Sequence, residues 1–178
     1  MEKASDYLNR FSRLIRLILQ NSRSNYVNLK DELEALKLYI EMESLRFDEQ
    51  FDYEVKVGKG LVLEEIEIPP MLLQPYVENA IWHGLMQKTG KGKLDLTITK
   101  ENGHLHCVIE DNGIGREAAM AIRSKSATRR KSMGMQITSD RIVMINKLYN
   151  TEATVNITDM KDKNGDPAGT RVNLEIPL

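Results

Sequence analysis

The stretch Ile68-Pro69-Pro70-Met71-Leu72-Leu73-Gln74-Pro75-Tyr76-Val77-Glu78-Asn79-Ala80-Ile81-Trp82-His83-Gly84 constrains this chain more than any other. Its two consecutive prolines end a strand, since neither can donate to a ladder. Beyond them Leu72, Leu73, Tyr76, Val77, Ala80 and Ile81 recur at three-and-four spacing, which predicts a helix. Pro75 falls in its first turn, where a missing N–H costs little. Glu78, Asn79 and His83 interrupt the apolar pattern near its end. Burying a carboxylate or a carboxamide unpartnered costs roughly a few kcal/mol. The pattern therefore points to a ligand rich in oxygen and metal charge.

A second element completes the pattern. Leu105-His106-Cys107-Val108-Ile109-Glu110 reads as a strand and runs directly into Asp111-Asn112-Gly113-Ile114-Gly115. A carboxylate followed by two spaced glycines makes a tight turn with room for a group against its backbone. Alone, this is an ordinary turn signal. Its place after a strand, downstream of Glu78-Asn79, gives it a functional reading.

The rest of the chain frames these two segments. Residues 2–22 read as an amphipathic helix with Tyr7, Leu8, Phe11, Leu14, Ile15, Ile18 and Leu19 on one stripe. Asn28 is a plausible N-cap, with Asp31 at the third position of a second helix over 29–47. Two helices joined by a short polar break pack antiparallel and must bury their stripes on the following domain or on a second copy. From Phe51 the period becomes two: Phe51, Tyr53, Val55 and Val57 alternate with charged residues, Gly58-Lys59-Gly60 turns the chain, and a strand over Val62–Ile68 follows. Leu94, Leu96 and Ile98, the turn Asn102-Gly103 and residues 104–110 form a hairpin. His104 and His106 share a strand face without a third ligand and read as outward-facing. Residues 116–132, with Arg123, Lys125, Arg129, Arg130 and Lys131, lack an apolar period and read as a soluble loop able to act as a lid over polyphosphate. A helix over 134–149 and two strands around Val155–Ile157 and Val172–Ile176 close the chain. The expected fold is α+β: an N-terminal helical hairpin followed by an α/β sandwich, a mixed sheet with its helices on one face.

Composition excludes several classes. The 178 residues suit one domain with a helical appendage, and 41% hydrophobic content supports a core. A net charge of −1 argues against a partner bound by bulk electrostatics such as nucleic acid. Cys107 is the single cysteine and reads as buried and structural. No apolar run approaches a membrane span, and the chain is consistent with a reducing cytoplasm.

The segments Gln74–Gly84 and Asp111–Gly115 together resemble the N box and first glycine box of the GHKL ATPases. The form Leu-Gln-Pro-Tyr-Val-Glu-Asn-Ala-x-x-His-Gly is similar to the LytS-type sensor histidine kinases in particular. So are Tyr7–Arg16, Tyr39–Phe47 and Gly169–Leu178. The resemblance implies a dimerising helical region over 1–48 and an ATP-binding catalytic domain over 49–178. It implies that Asn79 coordinates Mg²⁺, that Glu78 orients or deprotonates an attacking group, and that His83 contacts phosphate or stabilises the helix end. It places Asp111 against the adenine amino group, Gly113 and Gly115 against base and sugar, and Thr170 in the adenine contact through water. Further implications are transfer of the ATP γ-phosphoryl group to a histidine, relay to a response regulator, and a homodimer formed through the N-terminal helices.

Three departures qualify the match. In Ser132-Met133-Gly134-Met135, Gly134 matches the family's second glycine motif, while Ser132 stands for a glycine and Met135 for a leucine. Pro75 occupies the region where more orthodox kinases carry another Asn. Finally, the only histidines are His83, His104 and His106, so the phosphoacceptor motif is absent. The resemblance then implies a fragment of a membrane sensor, attached to the membrane only through missing upstream segments. Alternatives are another GHKL enzyme, such as a protein serine kinase, and a non-catalytic nucleotide-binding dimerisation module.

Overall fold

The computed structural model describes residues 2–125 and 142–178. Helix α1 (Glu2–Asn21) and helix α2 (Leu29–Arg46) form the expected hairpin. Asn28 caps α2 as anticipated: its Oδ1 accepts the Asp31 N–H at 2.8 Å. Leu14 packs on Ala35, Leu38 and Met42 between the helices, and Arg10–Glu41 and Arg13–Glu34 pair along their edges. The other face of α2 is equally apolar. Leu29, Leu33, Leu36 and Ile40 enter the same core as the sheet, so α2 joins α1 to the α/β layers.

The described residues contain seven strands. Strand β1 (Val27–Asn28) pairs with β3 (Glu67–Ile68) as a small antiparallel ribbon. The main sheet holds β2 (Phe51–Val57), β4 (Gly92–Glu101), β5 (His104–Asp111), β6 (Thr154–Lys161) and β7 (Pro167–Pro177) in the order β2-β4-β5-β7-β6. Only β2–β4 is parallel; the other pairs are antiparallel. Leu94, Leu96 and Ile98 of β4, Leu105, Cys107 and Ile109 of β5, and Val172, Leu174 and Ile176 of β7 point into one core. The alternate residues of β5 are half-buried on the opposite face, so the helices cover a single face, as expected.

Two segments differ from the sequence reading. The strand expected over Val62–Ile68 is reduced to Glu67–Ile68 and pairs with β1. The start of α2 takes the carbonyls that a longer strand would use: Leu29 N–H donates to Ile66 O at 2.7 Å, and Lys30 N–H to Leu63 O at 3.3 Å. Residues 116–125, expected as loop, lie in helix α4 (Gly115–Lys125). Ala118, Ala119 and Ala121 are strong helix formers that leave little amphipathic signal. The remainder of that expected lid, the second glycine motif with Gly134 and Met135, and the start of the expected 134–149 helix lie outside the described residues. Residues 142–149 are helical as expected. Among the described residues, no helix is long and apolar enough to cross a membrane.

Candidate functional site

The helix after Pro70 begins in a held turn. Met71 adopts φ 56°, a conformation that non-glycine residues rarely take. The buried Glu32 carboxylate of α2 accepts the Met71 N–H at 2.9 Å and the Leu73 N–H at 3.3 Å, fixing that turn. Helix α3 (Gln74–Asn79) follows, with Pro75 in its first turn as anticipated. At Ala80 it becomes a π-helix that runs to Leu85, with Met86 N–H reaching back five residues to Ile81 O at 2.9 Å. Such wide turns cluster at functional sites. Asn79, last in α3, and His83, within the wide turn, both line one cleft, together with Ala80 and Gly84.

The far wall is set by sheet register. Asp111, last in β5, sits opposite Thr170 of β7, and Thr170 sits opposite Asp159 of β6. Residues 59 positions apart thus become neighbours through strand pairing alone. Asp111 is only 4% exposed. Its Oδ1 accepts the Gly113 N–H at 2.8 Å. Burial pushes its carboxyl up from 3.8 to about 6, opposed by the Gly113 and Thr170 backbone hydrogen bonds and by Lys88.

The two walls meet backbone to backbone. A Cβ on Gly113 would lie 2.3 Å from the Gly84 carbonyl carbon, and one on Gly84 would lie 2.6 Å from Asp111 Oδ1. Ile114 N–H donates to Gly84 O at 3.3 Å across this contact. Side chains at either position would separate the helix from the turn. Lys88 Nζ donates to Asn112 O at 2.8 Å, and Asn112 Oδ1 accepts the Lys93 N–H at 2.7 Å, securing the turn from outside.

The cleft lies between α3, the wide turn, α4 and the ends of β5, β6 and β7, and is open to solvent. Tyr76, Ala80, Ile109, Met120, Ile157 and Val172 make its apolar walls, and Asn79, His83, Asp111, Arg116 and Thr170 its polar points. The buried Asp111 carboxylate is thus an acceptor set among apolar walls. Asn79 offers a hard carboxamide oxygen of the kind Mg²⁺ favours. Arg116 forms two 2.7 Å hydrogen bonds to Asp159, which tie α4 to β6 over one edge of the cleft.

The profile of the family described as "Histidine kinase" matches residues 1–51. Sensor protein LytS of Oceanobacillus iheyensis is 41% identical over 116 residues, covering 65% of this chain and 20% of that protein. LytS of Staphylococcus haemolyticus is 26% identical over 183 residues, covering 99% of this chain and 29% of the relative. Homologues named LytS sensor histidine kinase thus align along nearly the whole chain. The chain spans between a fifth and a third of these relatives' length. Among solved structures, the catalytic domain of histidine kinase ThkA superposes with a TM-score of 0.55 at 12% identity, covering 85% of this chain and 94% of that one. ThkA in complex with the response regulator TrrA superposes at 0.52 and 15% identity, over 97% of this chain and 48% of that one. The fold is that of a histidine kinase catalytic domain.

Asn79, His83, Asp111, Gly115 and Thr170 line one cleft. Gly113 does not line it but holds Asp111. Glu78 also lies off the cleft wall: its Oε1 accepts a hydrogen bond from Gln74 Nε2 at 2.8 Å, and its charge is felt by Tyr39 and Glu43 of α2. Sequence reasoning left out Gly84, Gly169 and Arg116. The two glycines stand inside the motif segments already quoted, and that placement was their available signal. Arg116 carried none, because its partner Asp159 is distant in sequence. His104 and His106 lie on the half-buried sheet face, and among the described residues no group of three or more His, Cys, Asp or Glu could hold a metal ion.

Proposed function

We propose that this chain is the ATP-binding catalytic core of a two-component sensor histidine kinase, transferring the ATP γ-phosphoryl group to a histidine for relay to a response regulator. The observation that carries the reading is the cleft itself, lined by the buried Asp111 carboxylate, by Asn79 at the end of α3 and by His83 on the wide turn. The ionised Asp111 accepts a hydrogen bond from the adenine amino group, which guanine lacks at that place, and the apolar walls take the base. Asn79 holds Mg²⁺, which when bound neutralises phosphate charge. His83 faces the phosphates, and Glu78 acts from the adjoining flank on the attacking group. The resemblance assigns nucleotide contacts to Gly134 and Met135 as well, which lie outside the described residues.

The three histidines lie in the 49–178 catalytic domain, so the acceptor is a histidine outside the given sequence. Helices of residues 1–48 belong to the dimerising region. Leu8, Phe11, Ile15 and Leu19 leave an apolar face on α1 that is 40–61% exposed, which suits a second copy of this chain. The ThkA–TrrA complex supports a response regulator as partner.

Calorimetric titration with ATP, ADP and GTP, each with and without Mg²⁺, tests the reading. ATP and ADP bind and GTP binds at least about tenfold more weakly, since a mispaired buried acceptor costs about 1–3 kcal/mol. Asn79→Ala loses the Mg²⁺-dependent part of affinity while keeping metal-free ADP binding. Equal affinity for ATP and GTP overturns the assignment.

A further inference from the structure

Trp82 lies in the wide turn between Asn79 and His83, yet it does not line the cleft. It is instead held by the C-terminal end of α2. Its indole N–H donates to Tyr39 Oη at 3.2 Å. Phe47, the residue that ends α2, meets it edge-on, with ring centroids 5.2 Å apart and planes at 82°. The Arg46 guanidinium lies 4.8 Å over the Trp82 ring and 5.4 Å over Phe47. Glu43 lies behind it, 3.8 Å from the guanidinium through Oε1, and its Oε2 is buried without a hydrogen-bond partner.

We infer that Arg46, with Tyr39 and Phe47, is a positioning clamp that sets the rotation of the wide turn and so places Asn79 and His83 in the cleft. The inference rests on the proposed function for what those two residues bind. An i→i+5 turn has poorer intrinsic stability than α-helix and needs outside contacts to persist. Trp82 stands three residues after Asn79 and one before His83, so turning the helix about its axis swings both. The clamp belongs to α2, which also carries Glu32, the residue fixing the start of α3. One helix therefore holds the site-bearing helix at both ends. α2 is in turn packed and ion-paired to α1. A displacement of the hairpin is thereby passed to the wide turn and read first at Asn79 and His83, while Asp111 is held in register by the β5–β7 pairing.

The test separates the two ends. Metal-free ADP affinity reports the Asp111 end, and the increase in affinity on adding Mg²⁺ reports the Asn79 end. Arg46→Ala lowers the Mg²⁺ increment about fivefold, the weight of a partly exposed cation over an indole. It leaves metal-free affinity within about twofold. Arg46→Lys, which keeps a cation over the ring, restores at least half of the lost increment. Tyr39→Phe removes only the acceptor for the indole N–H and lowers the increment by about twofold to threefold. It keeps the proposal testable should Arg46→Ala fail to fold. Trp82 is the only tryptophan, so its emission reports release of the clamp directly, shifting to the red in Arg46→Ala. An unchanged increment in folded Arg46→Ala and Tyr39→Phe overturns the clamp. So does an equal loss with and without Mg²⁺, which marks a general structural role. A wild-type chain that binds no ADP in either condition overturns the proposed function and the clamp with it.

Discussion

Asp111→Asn tests the cleft through its most buried polar group. Asp111 is 4% exposed, and its carboxyl is raised from 3.8 to about 6 by burial. At about 1.4 kcal/mol per pH unit, ionising it in the folded chain costs about 3 kcal/mol more than in the unfolded chain. The sign follows from which state keeps the proton. Below about pH 4 both states are protonated and the folded state has its full stability. Between about pH 4 and pH 6 only the folded state retains the proton, so stability falls as pH rises. Above about pH 6 the folded chain carries a buried charge. Asparagine has the same shape and cannot ionise, but its amide donors need acceptors and forfeit about 1–2 kcal/mol of the gain. The variant is therefore more stable than wild type by about 1–2 kcal/mol at pH 8, a rise of about 2–8 °C in Tm, with no such gain near pH 4. It also loses ATP binding by at least about tenfold, because a donor then faces the adenine amino group. Thermal melts at both pH values and calorimetry at pH 8 read these effects. A Tm difference that is the same at pH 4 and pH 8, or ATP affinity equal to wild type, refutes the reasoning.

Four further outcomes follow from the geometry. Gly169→Ala places a Cβ 1.8 Å from Asp111 O at φ +122° and destabilises the chain by more than about 3 kcal/mol in urea denaturation; Gly84→Ala, whose Cβ meets the movable Asp111 Oδ1, lowers nucleotide affinity by more than its own change in stability. Glu32→Gln, which weakens the hold on the Met71 and Leu73 N–H groups, costs about 1–3 kcal/mol in the same assay, and a change below about half a kcal/mol contradicts the role given to Glu32. Phe11→Glu on the exposed α1 face shifts sedimentation toward monomer without lowering Tm, whereas wild type that is monomeric at high concentration contradicts the dimer.

Local chemistry made much of this protein legible from its residues. Consecutive prolines, an apolar three-and-four period and Asn28 before Asp31 placed α3 and the start of α2, because caps and periods act within a few residues. The Asn102-Gly103 turn and the alternation in Leu94–Ile98 and Leu105–Ile109 placed the β4–β5 hairpin for the same reason. Asn79 and Asp111 stood out as polar interruptions in apolar runs. What the tertiary structure decided were the contacts between distant segments. The start of α2 took the Leu63 and Ile66 carbonyls and shortened β3 to two residues. Strand register set Asp111 opposite Thr170, and ion pairing set Arg116 against Asp159. The rotation of the wide turn at Ala80–Leu85, which puts Asn79 and His83 on the cleft and turns Glu78 and Trp82 toward α2, depends on packing against that helix. No pattern within residues 74–85 could specify it, since π-turns form where neighbouring elements supply the contacts that the helix alone lacks.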